Sequence, residues 1–169
     1  NGFPGARSGD VLIAFAVRTA SALAPSAPAG WVLIASRIAG GIGIAAYRFI
    51  VRNPRSGEVG GGTFTNATFV GVTRYQGVDN RNPISGSAVT GSGTTTVPLG
   101  SVTPQHLATR LLAFGYLDAG TIAPPAGMAQ LWGSANTFAL AEQSIIIPAA
   151  SGARTFTSSG APTKGIGVM

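Results

Sequence analysis

Residues 27–36 read APAGWVLIAS, and residues 124–134 read PPAGMAQLWGS. In both stretches Pro-Ala-Gly stands directly before an apolar run. Proline fixes the backbone φ angle, and glycine allows a conformation that other residues avoid, so this triplet is typical of a tight turn. We therefore predict the same turn twice, each time before the second strand of a similar unit.

Further short motifs of the first half recur in the second half, in the same order and at spacings between 92 and 99 residues. The matched motifs are Leu12–Phe15 with Leu111–Phe114, Pro28–Trp31 with Pro125–Met128, Ile44–Ala45 with Leu140–Ala141, Thr63–Thr65 with Thr155–Thr157, and Gly71–Val72 with Gly167–Val168. One such match in an alanine-rich chain has little weight, but an ordered series at a nearly constant spacing is hard to obtain by chance. We interpret the chain as a duplicated unit of about five strands.

Composition points to the same fold class. Of the 169 residues, 45% are hydrophobic and only 9% are charged, with 25 glycines and 11 prolines. So little charge argues against solvated helices, and Thr, Val and Ile between Gly and Pro clusters favour strands and turns. We predict an all-β, jelly-roll-like antiparallel β-sandwich built from two similar half-units. It forms a single domain over 1–169, with half-units 10–76 and 109–169 and a crossing segment 79–106.

Two of the predicted strands are apolar on both faces. The strands are 10–18, 30–38, 42–51, 62–66 and 67–76 in the first half-unit, 109–117, 127–133, 137–147, 153–158 and 164–169 in the second, and a crossing strand near 94–103. A strand with one solvent-exposed face alternates apolar and polar residues. The segments VLIAFAV at 11–17 and LLAFGYL at 111–117 lack this alternation. Either long loops or a neighbouring subunit must cover their outer faces. We expect a neighbouring subunit, because large apolar patches are rare on monomers.

The sequence offers few groups for chemistry. It contains five acids, one histidine and no cysteine, which excludes disulfides and thiolate metal sites. No two acids are placed as a carboxylate pair for glycoside hydrolysis, and His106 follows Pro104 in the crossing segment, where a surface histidine is expected. We therefore predict no enzyme, no catalytic residue, no cofactor and no metal. We interpret the tryptophans and tyrosines as core packing, with a sugar-stacking platform as the alternative.

The net charge is +6, with arginines scattered along the chain instead of concentrated in one segment. Scattered charge does not predict a nucleic-acid partner. The apolar stretches 19–36 and 119–141 are interrupted by prolines and polar residues, so no membrane partner is predicted either. One local cluster, Arg48, Arg52 and Arg55, has two interpretations. A solvated strand end is favoured, and a contact site for an anion or a partner is the alternative.

The segments SGDVLIAFAV, APAGWVLIAS, IGIAAYRF and VTRYQGVD together resemble a family of duplicated β-sandwich domains in phage virion proteins and bacterial surface proteins. The resemblance covers almost the whole chain, and its motifs are structural. It implies a place in a virion, as a capsid decoration or tail-fibre component, or on a bacterial surface. It carries over no active-site residues. The chain departs from the family in PQHLATRLLAF, where Gly-Asp would precede the strand, so the turn at 105–110 is open.

Two functions from different classes follow. The first is a virion structural protein, most simply a phage capsid decoration or cement protein or a tail-associated protein. It would act by packing against copies of itself or a capsid or tail shell protein. The alternative is a receptor- or glycan-binding module of a tail fibre or bacterial surface protein, located outside the cell or on its surface. Fold alone does not decide between them.

Overall fold

The computed structural model describes residues 3, 5–19, 22–54, 60–92, 95–134, 137–146, 149–160, 162 and 164–169. These residues form an all-β structure of antiparallel strands. The strands are β1 (Val11–Arg18), β2 (Val32–Ala39), β3 (Ile42–Ile50), β4 (Phe69–Tyr75), β5 (Val89–Ser92), β6 (Thr96–Leu99), β7 (Thr109–Leu117), β8 (Thr121–Ala123), β9 (Ala129–Ser134), β10 (Phe138–Ile145), β11 (Arg154–Ser159) and β12 (Gly165–Val168). The predicted antiparallel β-sandwich is confirmed.

Each half of the chain builds its own sheet. The first sheet has the order β2-β3-β1-β4, and the second has the order β5-β12-β7-β10-β9. Strand β1 therefore lies between β3 and β4, and β7 lies between β12 and β10. Neither of them pairs with the strand that follows it in the chain. A third, smaller sheet has the order β6-β11-β8. Strand β5 comes from the crossing segment and joins the edge of the second sheet.

The main core lies between the first and second sheets. Alternate residues of β1 point into it, among them Val11, Ile13 and Phe15, and all are buried. Phe15 stacks on Phe114 of β7, with 5.0 Å between the ring centroids and 22° between the ring planes. These two residues end the motifs LIAF and LLAF that the sequence matched, so the two motifs supply the centre of the sandwich.

The outer face of β1 is covered by the chain itself. Leu12 and Ala14 are fully buried under Trp31, Tyr47 and Phe64. The Tyr47 hydroxyl donates a 2.5 Å hydrogen bond to the carbonyl oxygen of Pro25, which fastens the segment before β2 onto the sheet. The expectation that a neighbouring subunit covers this face is wrong.

The outer face of β7 is covered in the same way by the third sheet. Leu111, Ala113 and Leu117 pack against Leu99 of β6 and Phe156 of β11. The two-faced apolar pattern of β1 and β7 thus reflects burial on both sides within one chain. The physical reason is that the outer segments of each half carry apolar side chains of their own and reach the sheet without a partner.

The two Pro-Ala-Gly turns have the same geometry, as predicted. The Trp31 amide donates to the carbonyl oxygen of Pro28 at 3.4 Å, and the Met128 amide donates to that of Pro125 at 3.0 Å. Gly30 has φ +88° and Gly127 has φ +77°. Each is a four-residue turn whose third residue needs a left-handed backbone, which is why glycine stands there.

Several boundaries differ from the prediction. The segment 62–66 is not a strand but forms a single bridge, Ser26 with Thr65. Two short strands, β5 and β8, were not predicted, and the crossing strand near 94–103 is the shorter β6. The two halves share a sheet order and a turn type, and the duplication that would explain this stays a prediction.

Candidate functional site

A groove opens between the first and second sheets, beside the starts of β1 and β7. We call it the inter-sheet groove; its volume is about 720 Å³. Ile13, Ile34 and Leu112 contribute apolar lining, and the segments 76–87 and 104–110 form much of its rim. A concave, largely apolar surface with a few polar groups is the usual form of a small-ligand site.

Two polar side chains that line this groove, Tyr75 and Arg110, meet Glu142, which lies beside the groove and outside its lining. The Tyr75 hydroxyl of β4 donates to Oε2 of Glu142 in β10 at 3.3 Å. Arg110 of β7 places Nη1 3.5 Å from Oε1 of the same carboxylate. Burial, aided by the Glu142 carboxylate, raises the pKa of Tyr75 to about 12. The phenol therefore stays protonated at neutral pH and remains a hydrogen-bond donor, while the Glu142 carboxylate is an acceptor.

The rim of the inter-sheet groove contains a strained residue. Ala108 has φ +55°, a left-handed conformation that is costly for a residue with a Cβ atom. Its amide donates to the carbonyl oxygen of Ile146 at 3.3 Å, as Gly9 donates to that of Val51 at 2.8 Å in the first half. The turn that the sequence left open is thus built as in the first half, with alanine in place of glycine. His106, two residues earlier, is exposed.

A second groove contains the arginines that the sequence singled out. We call it the arginine groove; Arg48 and Arg52 line it together with Gly30 and the glycines 60–62, and its volume is about 770 Å³. Arg55 lies outside the described residues, so nothing places it here. The structure brings two of the three predicted residues together on one concave surface.

The acids do not gather in either groove. Asp10 is 3.8 Å from the Nε of Arg74, and Glu142 pairs with Arg110. Asp79 accepts the backbone amide of Arg81 at 2.9 Å, which is a local turn contact. Among the described residues there is no cluster of three or more His, Cys, Asp or Glu side chains that could hold a metal ion.

The sandwich also exposes apolar side chains at one edge. Strand β2 is an edge strand of the first sheet. It pairs with β3 on one side, and no described strand pairs with it on the other side. Its residues Val32, Leu33 and Ile38 are 50%, 51% and 46% exposed. We call these three residues the β2 patch; Leu33 and Ile38, opposite Tyr47 and Gly43, point to one face of the sheet, and Val32, opposite Arg48, points to the other. This patch is not visible in the sequence, because VLIAS after the turn has the apolar character of a core strand and only the sheet order shows that β2 is an edge.

No family model, curated protein or solved structure matches this chain. Function is therefore argued from these three surfaces. Within the described residues, no helix has the length and apolar character needed to cross a bilayer. The Tyr75–Glu142–Arg110 cluster was also missed by the sequence analysis. The available signal was Glu142 itself, a single carboxylate in the middle of an apolar strand, since such a charge needs partners when it is partly buried.

Proposed function

We propose that this chain is a structural protein of a phage virion, a capsid decoration or cement protein or a tail-associated protein. It acts by packing against copies of itself or against a shell protein, without a catalytic step, a cofactor or a metal. The resemblance of its strand and turn motifs to phage β-sandwich domains supports the virion setting. The observation that carries the packing mechanism is the β2 patch.

An edge strand with exposed apolar side chains is a natural surface for association. Its outer amide and carbonyl groups are free to pair with another strand, and its apolar side chains gain by leaving water. The register shift between Leu33 and Ala35 marks a β-bulge, which interrupts regular pairing at the start of β2. A partner strand is therefore expected to pair along the later part of β2 and to pack on Leu33 beside it.

The opposite edge of the first sheet exposes less apolar surface. Phe69 and Val70 of β4 are 39% and 41% exposed, below the values of the β2 patch. The second sheet covers part of β4, because Trp132 of β9 lies directly against the backbone of Gly71 and Phe69 packs on Phe138 with 5.3 Å between the ring centroids. Strand β2 is therefore the more exposed of the two edges.

Sedimentation equilibrium of the isolated chain tests this proposal. We expect concentration-dependent association of the wild-type chain, and a monomer for the double variant Leu33→Lys with Ile38→Lys, since charge on an edge opposes pairing. Gln130→Lys on the exposed side of β9 is the matched control and should associate like the wild type. A wild-type chain that stays monomeric, together with a density map of its native particle that shows only solvent at β2, would contradict the proposal.

A second function, a receptor- or glycan-binding module of a tail fibre or bacterial surface protein, is favoured by one specific observation. The inter-sheet groove combines an apolar lining with Tyr75 and Arg110, which contact Glu142 beside it, and sugars are commonly held by such hydrogen-bonding groups next to apolar surface. Binding to a panel of neutral oligosaccharides tests it. Tyr75→Phe should weaken a bound glycan by about tenfold, whereas Tyr116→Phe should not. Absence of binding to every member of the panel at millimolar concentration would remove this function.

A further inference from the structure

The arginine groove contains two cationic side chains from the end of β3 and the residues just after it. Arg48 lies in β3, and Arg52 lies in the bend that follows the strand. The chain stays paired between them, because the Val51 amide donates to the carbonyl oxygen of Asp10 at 2.9 Å and the Gly9 amide donates to that of Val51 at 2.8 Å. Both side chains therefore line this one concave surface.

Neither guanidinium has a partner among the described residues, which is also true of Arg7, Arg18, Arg37 and Arg81, whereas Arg74, Arg110 and Arg154 each have one. Arg110 bonds to Ser144 at 2.7 Å, and Arg154 bonds to Gln143 at 2.8 Å. Arg74 lies beside Asp10. The described carboxylates, which are Asp10, Asp79, Asp118 and Glu142, are all absent from the lining of the arginine groove. The two positive charges are therefore not neutralised within the described part of the chain.

The glycines 60–62 also line the arginine groove, and they bring no side chains of their own. Gly60 and Gly61 are half-buried, and Gly62 is exposed. Their amides take part in none of the hydrogen bonds among the described residues. Consecutive free amides beside glycine turns form concave anion-binding surfaces, and guanidinium groups bind oxyanions through paired, charge-assisted hydrogen bonds.

We propose that the arginine groove is a binding site for one oxyanion group, a phosphate, sulfate or carboxylate, that belongs to a ligand outside the chain. Arg48 and Arg52 supply the charge, and the amides of the glycines 60–62 supply further donors. A groove of about 770 Å³ matches a small ligand. A nucleic-acid backbone would need a longer track of cations, with aromatic side chains for its bases. This inference goes beyond the proposed packing role and does not depend on it.

An NMR titration of the 16.9 kDa chain tests the site. The probes are sodium phosphate, sodium sulfate and galacturonate, each at constant ionic strength, with neutral galactose for comparison. We expect saturable shifts of the amides of the glycines 60–62 with the anions and none with galactose. Tighter binding of galacturonate than of phosphate would assign the oxyanion to an acidic sugar, and the reverse order would assign it to a phosphate group.

Three variants separate a site from general positive charge. Arg48→Gln and Arg52→Gln should each weaken binding about tenfold, the usual loss for one charge-assisted hydrogen bond. Arg37→Gln removes the same charge from the exposed side of β2 and should change affinity by less than about twofold, since distant surface charges are screened. Arg48→Lys keeps the positive charge but loses the planar guanidinium that can form two parallel hydrogen bonds. This variant should bind the anions with intermediate affinity.

Two results would overturn the inference. The first is the absence of saturable shifts at the glycines 60–62 with all three anions in a chain whose spectrum shows the folded state. The second is an equal loss of affinity in Arg37→Gln and in the groove variants, which would mean that only net charge matters. Either result leaves the sedimentation test of the packing role unaffected, because the titration measures ligand shifts and not association.

Discussion

Replacing Phe114 by alanine tests the centre of the sandwich. Phe114 is only 1% exposed, and its ring lies 5.0 Å from that of Phe15 across the two sheets. A buried phenylalanine removes about 150–250 Å² of surface from water, and at about 25 cal/mol per Å² this amounts to roughly 4–6 kcal/mol. Alanine keeps part of that contact, so we expect Phe114→Ala to lower the free energy of unfolding by about 3–5 kcal/mol.

Urea unfolding followed by tryptophan fluorescence measures this loss well, because Trp132 lies 5.8 Å from the Phe114 ring. A double-mutant cycle with Phe15→Ala should give a coupling energy of about 1 kcal/mol for the stacked pair. Phe69→Ala is the matched control and should cost about three-fifths as much, since Phe69 is 39% exposed. A loss under about 1 kcal/mol for both Phe114→Ala and Phe15→Ala would refute the assignment of the core.

Three further predictions concern single positions. A Cβ atom at Gly71 would lie 2.0 Å from the Trp132 ring. Gly71→Ala should therefore lower the free energy of unfolding by about 1–3 kcal/mol in urea melts. An unchanged midpoint would show that Trp132 does not lie against Gly71. Ala108→Gly removes the left-handed strain at φ +55° and should raise the free energy of unfolding by about 0.5–1 kcal/mol. The converse change, Gly9→Ala, should lower the free energy of unfolding. A loss of stability in Ala108→Gly would contradict the turn geometry. The pKa of Tyr75 is raised from its ordinary value of 10.0 to about 12, so the folded state holds a proton that the unfolded chain has lost between these values. The stability that this group contributes is complete below pH 10 and is lost as the pH rises towards 12. Chemical denaturation across that range should show a smaller decline in Tyr75→Phe than in the wild type, and equal declines would contradict the shift.

Local features of this fold were predictable from the sequence. The two Pro-Ala-Gly turns depend on residues that are adjacent in the chain, so their chemistry is visible there. The same holds for β1 and β7, whose unbroken apolar runs correctly indicated burial on both faces. The residues that cover their outer faces were not predictable, because this depends on where Phe64 and Phe156 lie in the folded chain. Both residues are far in sequence from the strands that they cover.

Register and cross-sheet contacts were not readable in the same way. The sequence alignment matched Ile44 with Leu140, but Ala46 lies opposite Phe15 where Leu140 lies opposite Phe114. A shift of two residues keeps each side chain on its face, so the hydrophobic pattern cannot detect it.

The same distinction, between residues close in sequence and residues brought together only by the fold, applies to the candidate sites. Arg48 and Arg52 are only four positions apart in sequence, so the sequence could group them, although it favoured a solvated strand end over a contact site. Tyr75 and Glu142 are 67 residues apart and meet only because β4 and β10 lie on facing sheets. The exposure of β2 likewise follows from the sheet order, which a single sequence does not contain.

Amide hydrogen exchange along β2 tests the packing role most directly. The measurement compares dilute chain with the associated state at high concentration, one residue at a time over 32–39. We predict that protection rises in the later part of β2 on association, while the exposed strands β8 and β9 exchange at unchanged rates, because a partner strand fills only the free side of β2. Exchange rates in β2 that stay the same while other strands become protected would contradict the account.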